Sequence, residues 1–176
     1  MTPPRKDKLM KGKQIASLLL ALAPSVCALC GCTGRKTQPD VSMYDLKSAM
    51  AEAAAFEEMA YAGSEDADAE TLFSNISDMA YSKVLSFFVY YAVNGTGNAD
   101  ELAVIRVKNA ADLTEARSSL EAHLAKRRSL YATYDKSQLK KLEGARIEVE
   151  GGCAALIVAD GADRIAEAFH TFLNGN

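Results

Sequence analysis

The sequence predicts an α+β fold, in which a mainly antiparallel sheet built from two hairpins packs against three main helices. Residues 84–108 contain two β-branched, apolar runs on either side of a turn at 94–98, and residues 145–159 contain two more around Gly151 and Gly152. Paired runs separated by such turn residues are typical of β-hairpins. Apolar residues that recur at helical spacing predict the helices.

The three main helices are predicted at 43–55, 112–134 and 161–173. On each of them the apolar positions repeat every three or four residues, so one face of each helix is expected to pack on the sheet. Ser42 is the candidate N-cap of the first helix, and Asp112 is the candidate N-cap of the second.

Two shorter stretches lie between the first helix and the first hairpin. Residues 56–61 alternate loosely and fit either a strand or the end of the first helix, whereas residues 69–76 predict a short helix after an acidic loop. Paired strands joined by turns dominate this order of elements, which favours an antiparallel sheet with helices packed on it.

The N-terminus has the parts of a secretory signal. Five basic residues between Arg5 and Lys13 precede an apolar stretch at 15–30, which Pro24 interrupts. A basic region followed by an apolar region and a zone of small residues defines such a signal. The apolar stretch is shorter than the roughly 20 residues that a membrane-spanning helix needs.

The signal ends in Leu29-Cys30-Gly31-Cys32, which resembles a bacterial lipobox. Cys32 has a small residue directly before it and Leu29 three positions before it, whereas Cys27 and Cys30 each follow a bulky residue. We therefore expect cleavage between Gly31 and Cys32 and a diacylglyceryl group on Cys32, because two acyl chains hold a protein firmly on a membrane. The alternative is an ordinary cleaved signal followed by an incidental cysteine.

These features divide the chain into a signal peptide at 1–31, a lipidated cysteine with a flexible tether at 32–40, and a single α+β domain at 41–176. The expected location is the extracytoplasmic face of the cell membrane. The whole chain carries a net charge of −3 and its leader is basic, so the mature domain is acidic. An acidic domain argues against a nucleic-acid partner.

A basic cluster follows the middle of the second main helix. It consists of Lys126, Arg127, Arg128, Lys136, Lys140 and Lys141. Such cations can bind anionic lipid headgroups or an anionic wall polymer. The alternative is that they offset the negative C-terminal end of the helix dipole.

Neither the histidines nor the last cysteine predicts catalysis. His123 and His170 lie on separate helices without further ligands at metal-binding spacing, and we expect both at the surface or at the edge of the core. Cys153 opens an apolar strand and is expected to be buried and unreactive. The sequence contains none of the common nucleophile, phosphate-loop or zinc motifs, so we expect no enzyme activity, no metal and no cofactor.

Several stretches of the chain resemble one bacterial lipoprotein family, known as domain of unknown function 4358. They are residues 99–113, 131–134, 151–160 and 165–169, and together with the N-terminal part of the domain the resemblance covers roughly 41–173. The resemblance implies a lipobox-anchored protein, as is found mostly in Gram-positive anaerobes. It implies no catalytic residues.

The sequence therefore predicts a lipid-anchored cell-surface protein that is not an enzyme and that binds an envelope protein or an anionic wall polymer. The alternative is a small substrate-capturing lipoprotein that serves a membrane transporter. This alternative is less favoured by length, because a two-lobed solute receptor is usually longer than this chain.

Overall fold

Five strands form one antiparallel sheet in the computed structural model, which describes residues 40–93 and 96–175. The strands are β1 (Met59–Gly63), β2 (Val84–Ala92), β3 (Glu101–Val107), β4 (Arg146–Glu150) and β5 (Cys153–Val158). The helices of this part of the chain are α1 (Met43–Glu52), α2 (Ala69–Ser74), α3 (Leu113–Tyr134), α4 (Leu139–Glu143) and α5 (Ala162–Gly175). The strand order is β1-β2-β3-β5-β4, so β3 is central.

Both predicted hairpins are present, and a third pairing joins them. β2 pairs with β3, and β4 pairs with β5. β3 also pairs with β5, which merges the two hairpins into one sheet. Residues 56–61 fitted either a strand or the end of the first helix. The structure has a strand in this region, because β1 pairs antiparallel with β2 at one edge of the sheet. The predicted α+β class with an antiparallel sheet is therefore confirmed, with one strand more than the two hairpins supply.

The sheet lies between two helical layers because its strands alternate their side chains between two apolar faces. On β3, Ala103 and Ile105 belong to the core formed with α2 and α3, whereas Leu102 and Val104 belong to the core formed with α1 and α5. All four side chains are completely buried. A strand buried on both faces in this way is a near-continuous apolar run, which explains the sequence of β3.

The three main helices occur where they were predicted, with shifts of up to three residues at their ends. α1 ends at Glu52, before the expected end at residue 55, and α5 begins and ends slightly later than expected. Ser42 caps α1 as predicted, since its hydroxyl oxygen accepts a hydrogen bond from the backbone N–H of Asp45 at 3.2 Å. On α3 the predicted apolar stripe is buried at Ala116, Leu120 and Leu124.

Asp112 lies at the N-cap position of α3, as predicted, but its side chain makes no capping hydrogen bond. A capping side chain needs an extended backbone from which it can turn back to the first turn of the helix. Asp112 instead has helical backbone angles, φ −86° and ψ −5°, because it ends a short 3-10 helix that runs directly into α3. Its carboxylate lies 3.6 Å from the ammonium nitrogen of Lys83, so this charge pairs across the fold and does not cap the helix.

The segment between α3 and β4 folds as two short helices that dock on the start of β3. Lys136–Gln138 forms a 3-10 helix, and α4 follows it. The Asp135 carboxylate accepts hydrogen bonds from the hydroxyl and the backbone N–H of Ser137, which lower the pKa of that carboxyl. The side-chain oxygen of Gln138 accepts a hydrogen bond from the N–H of Ala99 at 3.2 Å. This contact brings the end of α3 and α4 close to the first residues of β3.

The predicted signal peptide at 1–31 and most of the predicted tether lie outside the described residues. Within the described ranges, none of the helices combines the length and the apolar character that crossing a membrane requires.

Candidate functional site

A cavity of about 710 Å³ lies where β2 ends and β3 begins, between the sheet, α2 and α3. One wall is apolar and includes Leu72, Ile76, Val89 and Leu130. Other lining residues carry polar and ionisable side chains, among them Glu101, His123 and Arg127, and we call these three the polar wall. Small-molecule sites are typically cavities of roughly 300–1,000 Å³ with apolar walls and a few well-placed polar groups, and this cavity has both properties.

The polar wall is organised around the carboxylate of Glu101. One carboxylate oxygen lies 2.8 Å from Nε2 of His123, and the other accepts a hydrogen bond from Nη1 of Arg127 at 2.7 Å. The side chain of Glu101 is only 7% exposed, and those of His123 and Arg127 are each 15% exposed. Both carboxylate oxygens are thus occupied, which holds the imidazole and the guanidinium in fixed positions at the cavity wall.

Strand and helix periodicity place these three residues together. Glu101 begins the row of β3 that continues with Ala103, Ile105 and Val107 and faces α3, so its side chain points toward that helix and not toward solvent. His123 and Arg127 are four residues apart on α3 and therefore share one face of the helix.

Sequence reasoning missed this cluster, although the sequence contained a signal for it. Glu101 is an acid at the head of an otherwise apolar strand row, where alternation predicts burial. His123 and Arg127 interrupt the apolar stripe that runs from Leu120 to Tyr131. A buried acid that faces two bases on a neighbouring helix predicts an ion cluster, because buried charges are almost always paired.

Further contacts fix the guanidinium of Arg127. Nη2 of Arg127 donates a hydrogen bond to the carbonyl oxygen of Ala99 at 3.1 Å, and the guanidinium lies 5.7 Å from the ring centre of Tyr131. The hydroxyl of Tyr131 in turn donates to the carbonyl oxygen of Asn98 at 2.9 Å. These bonds tie the loop before β3 to α3, so the polar wall is a rigid, pre-formed surface.

The cluster can hold a polar group of a ligand, and it offers less for covalent catalysis. His123 uses Nε2 to contact Glu101, so Nδ1 is left for another partner, and Arg127 has more N–H donors than its two bonds employ. None of the described residues that line the cavity is a serine, threonine or cysteine. The same described ranges contain no group of three or more His, Cys, Asp or Glu side chains placed to hold a metal ion.

The structure divides the six basic residues of the predicted cluster between the interior and the surface. Arg127 belongs to the cavity wall. The neighbouring Arg128 donates from Nε and Nη2 to the carbonyl oxygen of Leu142, at 3.1 and 2.8 Å, and so caps the end of α4. Lys141 is also drawn inward, with a side chain that is 13% exposed and an ammonium nitrogen 2.6 Å from Oδ1 of Asp100.

Lys126, Lys136 and Lys140 are the three members of the cluster that remain exposed. They lie on the second half of α3, on the following 3-10 helix and on α4, within the same region of the fold. The surface that an anionic partner would meet is therefore smaller than the sequence cluster suggests. We call these three lysines the basic surface.

The other residues considered for chemistry occupy structural positions. His170 lies 3.1 Å from Glu148 and 3.5 Å from Glu150, between α5 and the edge strand β4. Cys153 is completely buried, and this burial raises the pKa of its thiol to about 12, although nearby Arg106 acts in the opposite direction. A thiol in this environment is unreactive. Gly31 and Cys32, the predicted cleavage and lipidation site, lie outside the described residues.

Comparison with known proteins identifies the family of the chain. The family model described as Domain of unknown function (DUF4358) matches residues 59–159, which is more than half of the chain. The matched region begins at β1 and ends after β5, so it contains the whole sheet and every described residue that lines the cavity. No curated protein and no solved structure matches the chain. The chain therefore belongs to the DUF4358 family.

Proposed function

We propose that this chain is a lipid-anchored, non-enzymatic binding protein of the bacterial cell envelope, with the cavity beside Glu101 as its binding site. One observation carries the binding role: a cavity of about 710 Å³ is lined by apolar side chains and by a polar wall that is already assembled. Glu101, His123 and Arg127 are held in place before any ligand arrives. Pre-formed polar groups favour binding, because little ordering remains to be done when a ligand arrives.

The proposal of a lipid anchor rests on the N-terminal sequence, in which Gly31 and Cys32 form the predicted processing site. The entry of the chain into the domain fits this arrangement. Arg106 donates to the carbonyl oxygen of Val41 at 3.5 Å, at the end of β3 that is opposite to Glu101. The five residue steps between Glu101 and Arg106 correspond to roughly 17 Å of strand. The cavity is thus well separated from the point where the tether joins the domain.

Capture of a small substrate for a membrane transporter is the second candidate function. The specific observation in its favour is the size and concavity of the site, because a protein partner would be bound by a flatter surface than this cavity provides. In this reading the domain binds a solute outside the membrane and delivers it to a transporter nearby.

An anionic envelope partner remains a separate proposal for the basic surface. Lys126, Lys136 and Lys140 are exposed and lie close together along the chain. Each cation near an anionic bilayer contributes about 1 kcal/mol to binding, so three lysines provide a modest attraction to lipid headgroups or to a wall polymer. This contact would assist the anchor and would not replace it.

Native mass spectrometry tests the binding role without any assumption about the ligand. Protein extracted from native membranes is expected to release a small molecule from wild type on denaturation. Asn75 is exposed and lines the cavity, so Asn75→Trp should obstruct the cavity and remove that mass. The control is Thr71→Trp, which places the same side chain at an exposed position on α2 that does not line the cavity. Equal spectra for wild type and Asn75→Trp would refute the binding role.

Metabolic labelling with a lipid precursor tests the anchor independently. Wild type is expected to incorporate the label, and Cys32→Ala is expected to lose it together with membrane retention. Cys30→Ala is the matched control, since this cysteine lies within the leader that is removed. Label that persists in Cys32→Ala would refute the lipobox assignment.

A further inference from the structure

We infer that the cavity takes an apolar monocarboxylate, a small molecule with one carboxylate and a hydrophobic body. The inference rests on the proposed function, in which the cavity is the binding site. It follows from the charges of the polar wall, from the hydrogen-bond donors that the wall leaves available, and from the apolar side chains that line the same cavity.

The polar wall has more basic than acidic groups. Glu101 is one carboxylate between two bases, Arg127 at 2.7 Å and His123 at 2.8 Å. The second carboxylate at the wall, Asp100, is already paired with Lys141 at 2.6 Å. A ligand carboxylate would therefore meet the Arg127 guanidinium beside resident carboxylates that already have partners.

The same wall leaves donors for this carboxylate. The two described bonds of Arg127 use Nη1 toward Glu101 and Nη2 toward Ala99, and the planar guanidinium has further N–H groups. His123 uses Nε2 to contact Glu101, so the donors that remain for a ligand carboxylate are those of the Arg127 guanidinium. Charge-assisted bonds from a guanidinium to a carboxylate are among the stronger hydrogen bonds in proteins.

Other charge classes fit this wall less well. A cationic ligand would meet Arg127 and would compete with it for Glu101. A dianion such as a phosphate monoester would place two negative charges beside the existing carboxylate, so that three negative charges would face two bases. A monoanion adds less repulsion than a dianion and does not compete with Arg127 for Glu101, so it fits this wall best among these classes.

The apolar side chains of the cavity indicate the hydrophobic body. Leu72, Ile76 and Val89 line the cavity from α2, from the residues after α2 and from β2. Leu130 lines it from α3 and is 53% exposed, so a large apolar side chain is open to a ligand there. A ligand with an apolar body covers these side chains and removes their surface from water.

A free carboxylic acid and the C-terminus of an apolar peptide share this chemistry. The test therefore uses one probe of each kind, 6-phenylhexanoate and N-acetylleucylphenylalanine. It also uses two analogues of the first probe, 6-phenylhexanamide and 6-phenylhexylammonium, which keep the body and change only the charge of the head group. Binding is measured by calorimetry on the full chain in lipid nanodiscs, with empty nanodiscs as the blank.

We expect at least one of the two carboxylates to bind about tenfold or more tightly than the amide, and the ammonium to bind most weakly. Asn75→Trp should abolish binding, while Thr71→Trp should not change it. The carboxylate that binds more tightly shows whether the cavity prefers a free carboxylic acid or the C-terminus of an apolar peptide. Absence of carboxylate binding, binding of the amide or ammonium at equal strength, or binding that persists in Asn75→Trp would overturn the inference.

Two substitutions at Leu130 test the charge argument without disturbing the buried cluster. Leu130 is half exposed, so Leu130→Asp and Leu130→Asn should both leave the fold intact. They remove the same apolar contact, but only the aspartate adds a negative charge at the cavity. Carboxylate affinity should fall severalfold further in Leu130→Asp than in Leu130→Asn. Equal losses of carboxylate affinity in the two variants would show that a negative charge at the cavity does not affect binding, and would overturn the ligand class. In that case, a small molecule released from wild type and absent from Asn75→Trp in native mass spectrometry would still support the binding role.

Discussion

Removal of the Glu101 carboxylate should destabilise the fold more than the loss of any exposed ion pair. Glu101→Ala leaves Arg127 and His123, each 15% exposed, without the carboxylate that both of them contact. The guanidinium then keeps only its described bond to the carbonyl oxygen of Ala99. Removing one partner of a buried pair costs about 3–5 kcal/mol. Because the cavity admits water to the bases, we expect a value near the lower end, about 3 kcal/mol.

Urea unfolding followed by far-ultraviolet circular dichroism measures this loss. The chain contains no tryptophan, so backbone ellipticity is the appropriate signal. A loss of about 3 kcal/mol is a large part of the 5–15 kcal/mol that stabilises a typical domain, and it should appear as a clear shift of the midpoint. The slope of the transition should stay constant if the native fold is retained.

Glu121→Ala is the matched control for this experiment. Glu121 pairs with Arg117 at 2.9 Å on the outer face of α3, where the two side chains are 49% and 54% exposed. Exposed pairs of this kind contribute less than about 1 kcal/mol. If Glu101→Ala costs no more than Glu121→Ala, the cluster does not organise the polar wall, and the reasoning about a pre-formed site fails.

Three further predictions concern the core, the thiol and the basic surface. Phe169→Ala should cost about 3–5 kcal/mol in urea unfolding, because this completely buried ring packs between α5 and the sheet; a loss below 1 kcal/mol would contradict that packing. Cys153, whose pKa is raised to about 12, should resist iodoacetamide at pH 8 in the native protein and react after denaturation, as mapped on its peptide; rapid native labelling would contradict its burial. Replacement of Lys126, Lys136 and Lys140 by glutamate should weaken binding to anionic vesicles while leaving neutral vesicles unaffected, and unchanged binding would exclude the basic surface as a contact.

Much of the fold could be predicted because its elements are local patterns. The strand pairs have turn residues between them, and the α3 stripe of Ala116, Leu120 and Leu124 has a clear helical period. The pairing of β3 with β5 could not be predicted in this way, since it joins two hairpins that are distant in the sequence. The absence of a capping bond at Asp112 could not be predicted for a similar reason, because a 3-10 helix and the distant Lys83 determine the position of that carboxylate.

The basic cluster shows why the candidate site was only partly predictable. Lys126, Arg127 and Arg128 are consecutive on α3, so their side chains point about 100° apart around the helix axis. They cannot share one face, and the structure gives each a different environment. Arg127 contacts Glu101, Arg128 contacts Leu142, and Lys126 is exposed. A cluster of like charges in a sequence predicts a charged surface only where helical geometry places those side chains on the same face.

The buried cluster is better evidence for a ligand site than for a stabilising device. Well-packed apolar residues can usually replace a buried ion pair with no loss of stability, and the row that Glu101 begins is otherwise filled by Ala103, Ile105 and Val107. An apolar residue at position 101, opposite apolar residues on α3, would satisfy the same packing requirement. The fold instead accepts the desolvation of three ionisable groups at the one place where the sheet, α2 and α3 leave a cavity. This coincidence is explained if the cluster binds a ligand.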